Sequence, residues 1–426
     1  MERYQEYKPS NVQWIGDIPK HWEDKQLRSF LFLFTVKGHG DAQLLSVTRE
    51  QGVIERDKDN KEENHNFIPE DLSGYKYIEK GDFAINKMKA WQGSYAVSEF
   101  NGIVSPAYFT CKLRGVNKDF FSVAIRSKAY VPFFTQYSKG IRVDQWDLNP
   151  NALKTIPFFL PPLAEQEKIV SYLEGKTSKI DAYVSEKEKE IQLLQELKQK
   201  TIADAVTKGL NPDVKMTEYS SLITSSHPNH WKILRNKSFL SLTGEKVGNR
   251  ASEFVLLSLT TKGVIVRDLE SGKGKFPKDF DTYQFVRKGE LVFCLFDIDE
   301  TPRTVGLVDT EGMITGAYTA FRVNSEIALS EYVYNYFLCV DNIKALKPYY
   351  SGLRKTVRAD KFLQIYIPLP PLDEQRAIVA YIDEKCKKID TLVSELQAEI
   401  DYMKEYKQRL IADCVTGQVN VQNETI

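Results

Sequence analysis

The C-terminal half of the chain repeats the N-terminal half at an offset of about 209 residues. The best-matched stretch is charged: Pro161–Asp181 reads PPLAEQEKIVSYLEGKTSKID and Pro370–Asp390 reads PPLDEQRAIVAYIDEKCKKID, with 12 of 21 positions identical. A repeat at a fixed offset constrains the architecture before any local motif is considered. The sequence therefore predicts two similar globular units related by pseudo-twofold symmetry, each followed by a long helix.

The similarity continues outside the charged segments, where short motifs recur in the same order. Runs rich in β-branched and aromatic residues, bounded by Gly, Asn and Asp, predict short strands in both halves. Asp119–Lys128 and Ser330–Leu346 predict one helix in each half, so each globular unit is predicted to be a mixed α+β domain. The paired motifs are His21-Trp22 and His230-Trp231, Leu44–Asp57 and Leu256–Asp268, Tyr75–Asp82 and Tyr283–Glu290, Gly102–Tyr108 and Gly312–Tyr318, and Gly140–Arg142 and Gly352–Arg354.

The two charged segments are predicted to be long helices, because apolar residues recur three, four or seven positions apart in both. Paired prolines precede each helix, and Gly209 and Gly417 follow, where a left-handed cap residue is favoured. The apolar positions predicted to pair the helices are Ile180, Val184, Ile191, Leu194, Ile389, Val393, Leu396 and Ile400. The predicted segments are a first domain (1–162), a first helix (163–208), a linker with a second domain (209–371), a second helix (372–416) and a tail (417–426).

Pairing of these helices is the predicted way to cover their apolar stripes. Each would span about 66 Å at ~1.5 Å per residue, and chain order would make them antiparallel within one molecule. A surface helix packed on its own domain and a coiled coil between two copies of the chain are the alternatives. The likeness of the two halves favours the intramolecular pair.

Composition and motifs narrow the class of protein. No stretch approaches the ~20 apolar residues of a membrane span, and the N-terminus does not have the pattern of a signal peptide. Five scattered cysteines without a C-x-x-C pair argue against a disulfide framework or a zinc site and favour a cytoplasmic location. His227 and His230 have the spacing of a metal pair but lack further ligands nearby, so a loop histidine beside Trp231 is favoured.

Catalytic and cofactor motifs are missing from the sequence. There is no G-x-G-x-x-G, no Walker A loop and no N-P-P-Y-like methyltransferase motif, and the lookalikes at Gly38–Gly40 and Ser271–Lys275 lack the required spacing. A self-contained nuclease or methyltransferase is therefore disfavoured. The net charge is zero, but the helical segments are mildly acidic and the rest is mildly basic, so nucleic acid would have to be held by local basic patches.

With these motifs assembled, the chain resembles the specificity (S) subunit of type I restriction–modification enzymes over nearly its whole length. The segments that carry the resemblance are Ser10–Leu27, Asn86–Ser94, Gly102–Tyr108, Ser138–Arg142 and the twice-used P-L-x-E-Q helix start. The resemblance implies that each globular unit is a target recognition domain for one half of a bipartite site in double-stranded DNA. The antiparallel coiled coil would set the spacer between the half-sites.

The resemblance also implies a non-catalytic protein that binds no cofactor itself. It would dock two modification subunits, which carry S-adenosylmethionine and methylate adenines, and restriction subunits would join that core and cleave DNA. A methylation-only or orphan system is an alternative within the family. A structural coiled-coil protein is disfavoured because the end domains are large, rich in aromatic residues and mildly basic.

Candidate DNA-contacting residues combine cations for phosphates with side chains that can pair with base edges. In the first unit they lie in the segments Asn86–Ser94 and Tyr137–Arg142 and comprise Lys87, Lys89, Trp91, Gln92, Ser94, Lys139 and Arg142. A third basic group is a weaker candidate, because charge runs are usually solvated surfaces: Arg49, Arg56 and Lys58. Tyr108 and Tyr318 could lie near DNA or end a buried strand, whereas Trp14, Trp22 and Trp231 are predicted packing anchors.

In the second unit, the segment Cys294–Arg303 replaces the basic loop Asn86–Ser94 and is acidic. This difference predicts that the two units read different half-sites. The candidate DNA-contacting residues of the second unit are Arg303, Ser351, Arg354, Lys355 and Arg358. Lys273 and Lys275 are a further basic pair.

Overall fold

The computed structural model describes residues 2–57, 68–140, 146–267, 280, 282–352 and 355–423. The chain divides into two units. The first, called unit 1 here, comprises Met1–Glu188 and Ala398–Ile426, and the second, unit 2, comprises Lys189–Gln397. Because these boundaries fall inside the two long helices, each long helix begins in one unit and ends in the other.

The helices that were predicted from the heptad pattern are confirmed, and they have 46 and 44 residues. The shorter helices expected in each unit are also present. In the described residues the α-helices are α1 (Lys118–Arg126), α2 (Val131–Tyr137), α3 (Pro150–Thr155), α4 (Leu163–Lys208), α5 (Ser330–Asn342), α6 (Ala359–Phe362) and α7 (Leu372–Val415).

Unit 1 is built on a four-stranded antiparallel sheet in the order β4-β11-β8-β9, flanked by two-stranded pairs β1-β2, β3-β14, β5-β6, β7-β10 and β12-β13. Its strands are β1 (Tyr7–Pro9), β2 (Asp17–Pro19), β3 (Glu23–Gln26), β4 (Leu31–Phe34), β5 (Leu45–Thr48), β6 (Gly52–Glu55), β7 (Lys76–Ile78), β8 (Phe83–Ile85), β9 (Tyr95–Val97), β10 (Gly102–Val104), β11 (Phe109–Leu113), β12 (Ser138–Lys139), β13 (Asp147–Leu148) and β14 (Pro157–Leu160). The sheet packs on buried aromatic side chains of α1, α2 and β14.

Unit 2 repeats this plan, with a four-stranded sheet β18-β26-β23-β24, a three-stranded sheet β19-β22-β25 and pairs β15-β16, β17-β27 and β20-β21. Its strands are β15 (Met216–Glu218), β16 (Ser226–Pro228), β17 (Lys232–Arg235), β18 (Leu240–Thr243), β19 (Glu245–Lys246), β20 (Leu257–Thr260), β21 (Gly263–Val266), β22 (Tyr283–Val286), β23 (Leu291–Phe293), β24 (Val305–Leu307), β25 (Gly312–Thr315), β26 (Thr319–Val323) and β27 (Tyr366–Leu369). The predicted mixed α+β class is confirmed for both units.

The antiparallel pairing of α4 and α7 is visible in unit 1 from its ion pairs. Lys404 Nζ lies 3.0 Å from Glu188 Oε1, and Lys407 Nζ lies 2.6 Å from Asp181 Oδ2. As the residue number rises along α7, the partner's number falls along α4, which is the antiparallel order. Ile180 and Val184, predicted to cover the seam here, are 6% and 8% exposed.

Unit 2 shows the same order at the other ends of the helices. Lys198 Nζ lies 2.6 Å from Asp390 Oδ1, and Ile202 shares a buried cluster with Ile382. Ile389 and, in unit 1, Ile400 are also buried, as the heptad pattern predicts. The remaining predicted positions are half-buried, so the seam is more open there: Ile191, Leu194, Val393 and Leu396.

The start of α4 is held by a carboxylate that three side chains of the N-terminal segment contact. Glu165 accepts a hydrogen bond from Trp22 Nε1 at 2.9 Å, and its other oxygen lies 2.8 Å from His21 Nε2. The Tyr4 hydroxyl donates to the same carboxylate. The Glu165 side chain is 7% exposed, so these partners supply most of its solvation. We call this cluster the helix-start anchor.

Unit 2 contains the equivalent anchor at the start of α7. Glu374 accepts from Trp231 Nε1 at 3.1 Å and lies 2.7 Å from His230 Nε2. Its side chain is 25% exposed, so this copy is less enclosed than the first. The anchor explains why the His-Trp pair and the P-L-x-E-Q helix start are repeated together: they are the two sides of one contact. Trp22 and Trp231 are buried packing anchors, as predicted.

The glutamine of P-L-x-E-Q joins each helix start to the adjoining loops. Gln166 accepts from the backbone N–H of Asn117 at 2.9 Å and donates to the Pro161 carbonyl at 2.7 Å. Gln375 accepts from the Leu329 N–H at 2.8 Å and donates to the matching proline carbonyl at 2.8 Å. Both amides are buried and use their donor and acceptor groups together, which a side chain with only one of these groups could not reproduce.

A repeated turn explains another shared motif, KGD in unit 1 and KGE in unit 2. Gly81 adopts φ 88°, a conformation that side chains disfavour. The buried Asp82 that follows accepts from the backbone at the turn and from Lys112 Nζ at 2.9 Å. In unit 2, Glu290 accepts from Arg322 Nη2 at 2.9 Å in the same way. Both members of the acid–base pair differ between the two units, and in each unit the buried carboxylate keeps a cationic partner.

Across the described ranges, none of the helices has the combination of length and apolar content that would let it cross a lipid bilayer.

The helix-start anchor gives a stability prediction. Glu165→Ala leaves the buried Trp22 N–H without its acceptor, so we expect a loss of about 1.5–3 kcal/mol in the free energy of unfolding. Glu374→Ala is the matched variant and should cost less, because its carboxylate is more exposed and has two partners. Urea unfolding of the full chain, with hydrogen exchange followed in residues 4–22 and 215–231, measures both. Equal losses would contradict the ranking.

Candidate DNA interface

The predicted loop Asn86–Ser94 of unit 1 is a closed turn that connects β8 and β9. The Asn86 N–H donates to the Ser94 carbonyl at 3.0 Å, and Gly93 adopts φ 93°, so the chain reverses within the loop. Trp91 packs on Trp146 with ring centroids 5.4 Å apart. Both rings are only half-buried, so the pair gives this surface an aromatic component.

The two predicted segments of unit 1 are brought together around one cleft of about 800 Å³. The Leu148 N–H donates to the Lys87 carbonyl at 3.0 Å, and β13 pairs with β12, which carries Lys139. Lys87 Nζ also lies 2.9 Å from Asp147 Oδ2. The polar residues lining the cleft are Lys87, Gln136, Tyr137, Lys139, Asp147 and Asn149. Cations, amides and a phenol therefore share one concave surface.

The remaining candidates of unit 1 differ in accessibility. Lys89 is exposed and Gln92 is half-buried, so both can reach a ligand. Ser94 is 3% exposed, so its side chain is not accessible to a ligand. Its backbone carbonyl closes the loop by accepting from the Asn86 N–H. Among the weaker candidates, Arg49 is exposed and lies 3.6 Å from Glu50. Arg142 and Lys58 lie outside the described residues, and Arg56 is engaged with other groups.

Tyr108, for which the sequence left open a place near DNA or at the end of a buried strand, lies beside the loop Asn86–Ser94. Asn86 Nδ2 donates to the Tyr108 hydroxyl at 3.3 Å, and Lys76 Nζ donates to the Tyr108 carbonyl at 2.6 Å. The phenol is partly buried, and this burial raises its pKa. Sequence reasoning missed Lys76, and it also missed Lys37, which is exposed nearby. Comparing the two copies position by position would have singled out Lys76, because its counterpart is a neutral residue, Gln284.

Unit 2 brings two segments together in the same way: the acidic segment Cys294–Arg303 and the loop around Gly352, which is the counterpart of the segment around Gly140. The Val357 N–H donates to the Leu295 carbonyl at 2.7 Å, and the Asp297 N–H donates to the Lys355 carbonyl at 3.2 Å. Phe296 stacks near Tyr318, with ring centroids 6.3 Å apart and planes 17° from parallel. The acidic segment therefore occupies the place next to Tyr318 that the basic loop occupies next to Tyr108.

Ion pairs and hydrogen bonds between side chains connect the acidic segment to the loop around Gly352. Lys355 Nζ lies 3.1 Å from Glu300 Oε1 and 3.4 Å from Asp299 Oδ2. The Tyr350 hydroxyl donates to Asp299 at 2.8 Å and lowers the pKa of that carboxyl. The bonds to Glu300 and Asp299 raise the pKa of Lys355. Lys355 is thus a cation whose charge is offset inside the protein, which reduces what it can offer to a phosphate.

Arg303 is engaged inside unit 2. Its Nη1 lies 3.1 Å from Asp341 Oδ2 and 3.2 Å from Asn342 Oδ1, and its side chain is 20% exposed. The Asp341 side chain is 2% exposed and also accepts from Thr304 and from Lys344 at 2.7 Å. These contacts give Arg303 a role in neutralising a buried carboxylate, and its role as a DNA reader stays a prediction.

Two other candidates of unit 2, Ser351 and Arg358, are exposed. Ser351 donates from its hydroxyl to the Thr356 carbonyl at 3.1 Å and so closes the loop. Arg358 lies at the N-terminal cap of α6, with Nε 3.0 Å from Asp360 Oδ1. Arg354, Lys273 and Lys275 fall outside the part of the chain that the structure describes.

The histidines with metal-like spacing have protein partners. His227 is buried with Nδ1 2.7 Å from the Pro228 carbonyl, and His230 belongs to the helix-start anchor of unit 2. Within the described ranges, no group of three or more His, Cys, Asp or Glu side chains is placed to hold a metal ion. Trp14, predicted to be a packing anchor, is 45% exposed, although it packs on Phe133 and donates to the Ala129 carbonyl at 3.0 Å.

Comparison with known proteins agrees with this architecture. Residues 304–402 match the family described as the type I restriction modification DNA specificity domain. The chain is 24% identical, over 98% of both sequences, to a Methanocaldococcus jannaschii protein assigned as the specificity subunit of the type I restriction enzyme MjaX. It is also 24% identical to the MjaVIII specificity subunit of the same organism, over 78% of this chain and 79% of that protein.

A solved structure shares the fold. It concerns complex assembly and conformational transition of the type I R-M system, and one of its chains matches with a TM-score of 0.69 at 15% identity. The match covers 94% of this chain and 99% of that one.

Two α+β units, joined by long helices that pair antiparallel and begin at a repeated carboxylate anchor, define a duplicated recognition protein. Over nearly its whole length, the chain is similar to specificity subunits of type I restriction–modification systems. The resemblance seen in the sequence motifs is confirmed.

The contacts of Arg303 give a prediction that separates a structural role from a reading role. Arg303→Ala leaves the buried Asp341 carboxylate with fewer donors, so we expect a loss of about 1–3 kcal/mol in the free energy of unfolding. Lys355→Gln, in the exposed network nearby, is the control and should change stability little. Chemical denaturation of the full chain measures both. An Arg303→Ala protein of unchanged stability that recognises DNA less well would instead identify Arg303 as a reader.

Proposed function

We propose that this protein is the DNA-specificity subunit of a type I restriction–modification complex and performs no catalysis itself. Each unit would read one half of a bipartite site in double-stranded DNA. The observation that carries the proposal is the pairing of a shared frame with different loops: the anchors and sheets correspond, whereas the loops beside Tyr108 and Tyr318 are basic in unit 1 and acidic in unit 2. Two different readers on one frame suit an asymmetric site.

The chemistry of the two surfaces supports this difference. Unit 1 offers Lys89, Lys139 and the amide of Gln92, which suit phosphates and the edges of purines. Unit 2 offers Asp299 and Glu300, and carboxylates accept hydrogen bonds from the amino group of cytosine. The proposal keeps the predicted DNA-contacting residues of both units as candidates, with Arg303 assigned mainly to stability.

We further propose that α4 and α7 dock two modification subunits, which carry S-adenosylmethionine, and that restriction subunits join this core. Several large apolar side chains on these helices remain exposed, which is unfavourable unless a partner covers them. The most exposed are Leu163 (59%), Leu193 (64%), Leu197 (50%), Leu392 (47%) and Tyr402 (67%). The same proposal places the protein in the cytoplasm, where its DNA ligand lies.

The direct test of the proposed function is methylome sequencing of the host with and without this gene. We expect one bipartite, asymmetric adenine-methylated motif to disappear when the gene is deleted and to return with the wild-type gene. Persistence of every methylated motif in the deletion strain would contradict the proposal. A motif that is lost without any change in restriction of incoming unmethylated DNA would point to a methylation-only system.

The helices give a second functional prediction, because their length would set the spacer. Inserting one heptad into both α4 and α7, after Glu188 and after Gln397, adds about 10 Å of helix and keeps the apolar seam in register. We expect a spacer longer by about 3 base pairs at ~3.4 Å each, with both half-sites unchanged. Insertion into one helix alone, which breaks the register, is the control and should abolish methylation. An unaltered spacer in the double insertion would exclude the ruler role.

A further inference from the structure

Two lysines of unit 1 lie next to each other on the surface beside Tyr108. The Tyr77 N–H donates to the Val36 carbonyl at 2.8 Å, which places the residue before Lys37 alongside the residue after Lys76. Lys37 is exposed and Lys76 is half-buried, with its ammonium 2.6 Å from the Tyr108 carbonyl. An ammonium has three N–H donors, so this contact leaves Lys76 two donors for a ligand.

The charges around Lys76 favour an anion. Partial burial lowers the pKa of Lys76, and the nearby positive charges of Lys37 and Lys87 lower it further. Lys87 has Asp147 as a counter-ion at 2.9 Å, on the side facing the cleft. Like charges held close together raise one another's energy, and a bound anion between Lys37 and Lys76 would relieve this repulsion.

Unit 2 pairs the corresponding strands and has one lysine fewer at this place, with Glu245 at the position of Val36. Lys246 and Gln284 are opposite each other in the β19–β22 ladder, in the place of Lys37 and Lys76. Gln284 Nε2 donates to the Tyr318 carbonyl at 2.7 Å, as Lys76 Nζ does to Tyr108. A neutral amide at the position of Lys76 therefore still makes the hydrogen bond to the tyrosine carbonyl. The charge of Lys76 is not needed for the fold of such a unit, which points to a use in binding.

We propose that Lys37 and Lys76 form a binding site for a phosphate of the DNA backbone in unit 1, and that Gln284 leaves unit 2 with one cation fewer at the corresponding site. The inference rests on the proposed function, because the ligand is DNA. Contacts to phosphates position a protein on the duplex and carry no base information. The two units therefore contribute unequally to the salt dependence of binding, independently of which bases they read.

Reciprocal exchange of the two side chains tests the proposal, since each unit supplies the other's residue. Lys76→Gln and Gln284→Lys are made in the full-length chain, assembled in its complex, and Kd is measured over a salt series. The probes are a duplex carrying the motif found by methylome sequencing and a scrambled duplex. We expect Lys76→Gln to reduce the slope of log Kd against log salt by about 0.9, the value for one phosphate. Gln284→Lys should increase it by a similar amount.

Matched variants keep the result interpretable. Lys37→Gln changes an exposed side chain, so we expect stability to change little, and it should reduce the slope as Lys76→Gln does. Lys20→Gln removes the same charge from a lysine paired with Glu6 at 2.9 Å, and it should leave the slope unchanged. The preference for the motif over the scrambled duplex should be preserved in all four variants, because phosphate contacts do not specify sequence.

The outcomes separate this site from the proposed function. A wild-type complex that binds the motif and the scrambled duplex equally would overturn the proposed function. A wild-type complex that discriminates, together with unchanged slopes for both Lys37→Gln and Lys76→Gln, would overturn the phosphate site alone. Loss of sequence preference in Lys76→Gln without a change in slope would also overturn it, and would mark Lys76 as a base-reading residue.

Discussion

The rest of each unit depends on one contact, which is formed between the carboxylate at the start of a long helix and the His-Trp pair. Glu165 and Glu374 each receive a tryptophan N–H and face a histidine, so the segment entering a unit is tied to the helix that scaffolds it. The other long helix ends at the same place. Gly417 lies against Pro19 and Trp22, and Gly209 lies against Glu374 and Trp231; a Cβ would come within 2.2 Å of Pro19 at the first glycine and within 2.8 Å of Glu374 at the second. A side chain there would displace the anchor.

The anchored frames are alike, whereas the surfaces they present differ. Charged pairs that serve the frame were exchanged together, as Asp82 with Lys112 became Glu290 with Arg322. At the loops the net charge differs between the units, because most of their charged side chains are exposed and have no buried partner, Arg303 with Asp341 excepted. This separation explains how two units with one architecture can bind different ligands. A recognition loop can vary freely as long as its ends keep the backbone contacts that hold it to its neighbour.

Much of the candidate interface could be anticipated from the sequence, since the motifs that flank each loop are local and repeated. That Lys87 and Lys139 line one cleft could not be anticipated, because it depends on the contact of Lys87 with β13, which is 60 positions away at Asp147 and pairs with β12. The assignment of Arg303 was ambiguous for the same reason: its partner Asp341 is remote in sequence and buried. Lys76 was overlooked because a single lysine in a strand has no distinctive pattern.

The sequence alone determined the duplication, the two long helices and the α+β class, and it indicated the resemblance to type I specificity subunits, because repeat offset, heptad spacing and motif order are properties of the chain itself. Only the tertiary structure decided which side chains meet: that His-Trp and P-L-x-E-Q form one anchor, and that Lys76 and Gln284 donate to the carbonyls of Tyr108 and Tyr318. The physical reason is that hydrogen bonds and close ion pairs form only when their atoms lie within a few ångströms of each other. Residues more than a hundred positions apart acquire such neighbours only when the chain has folded.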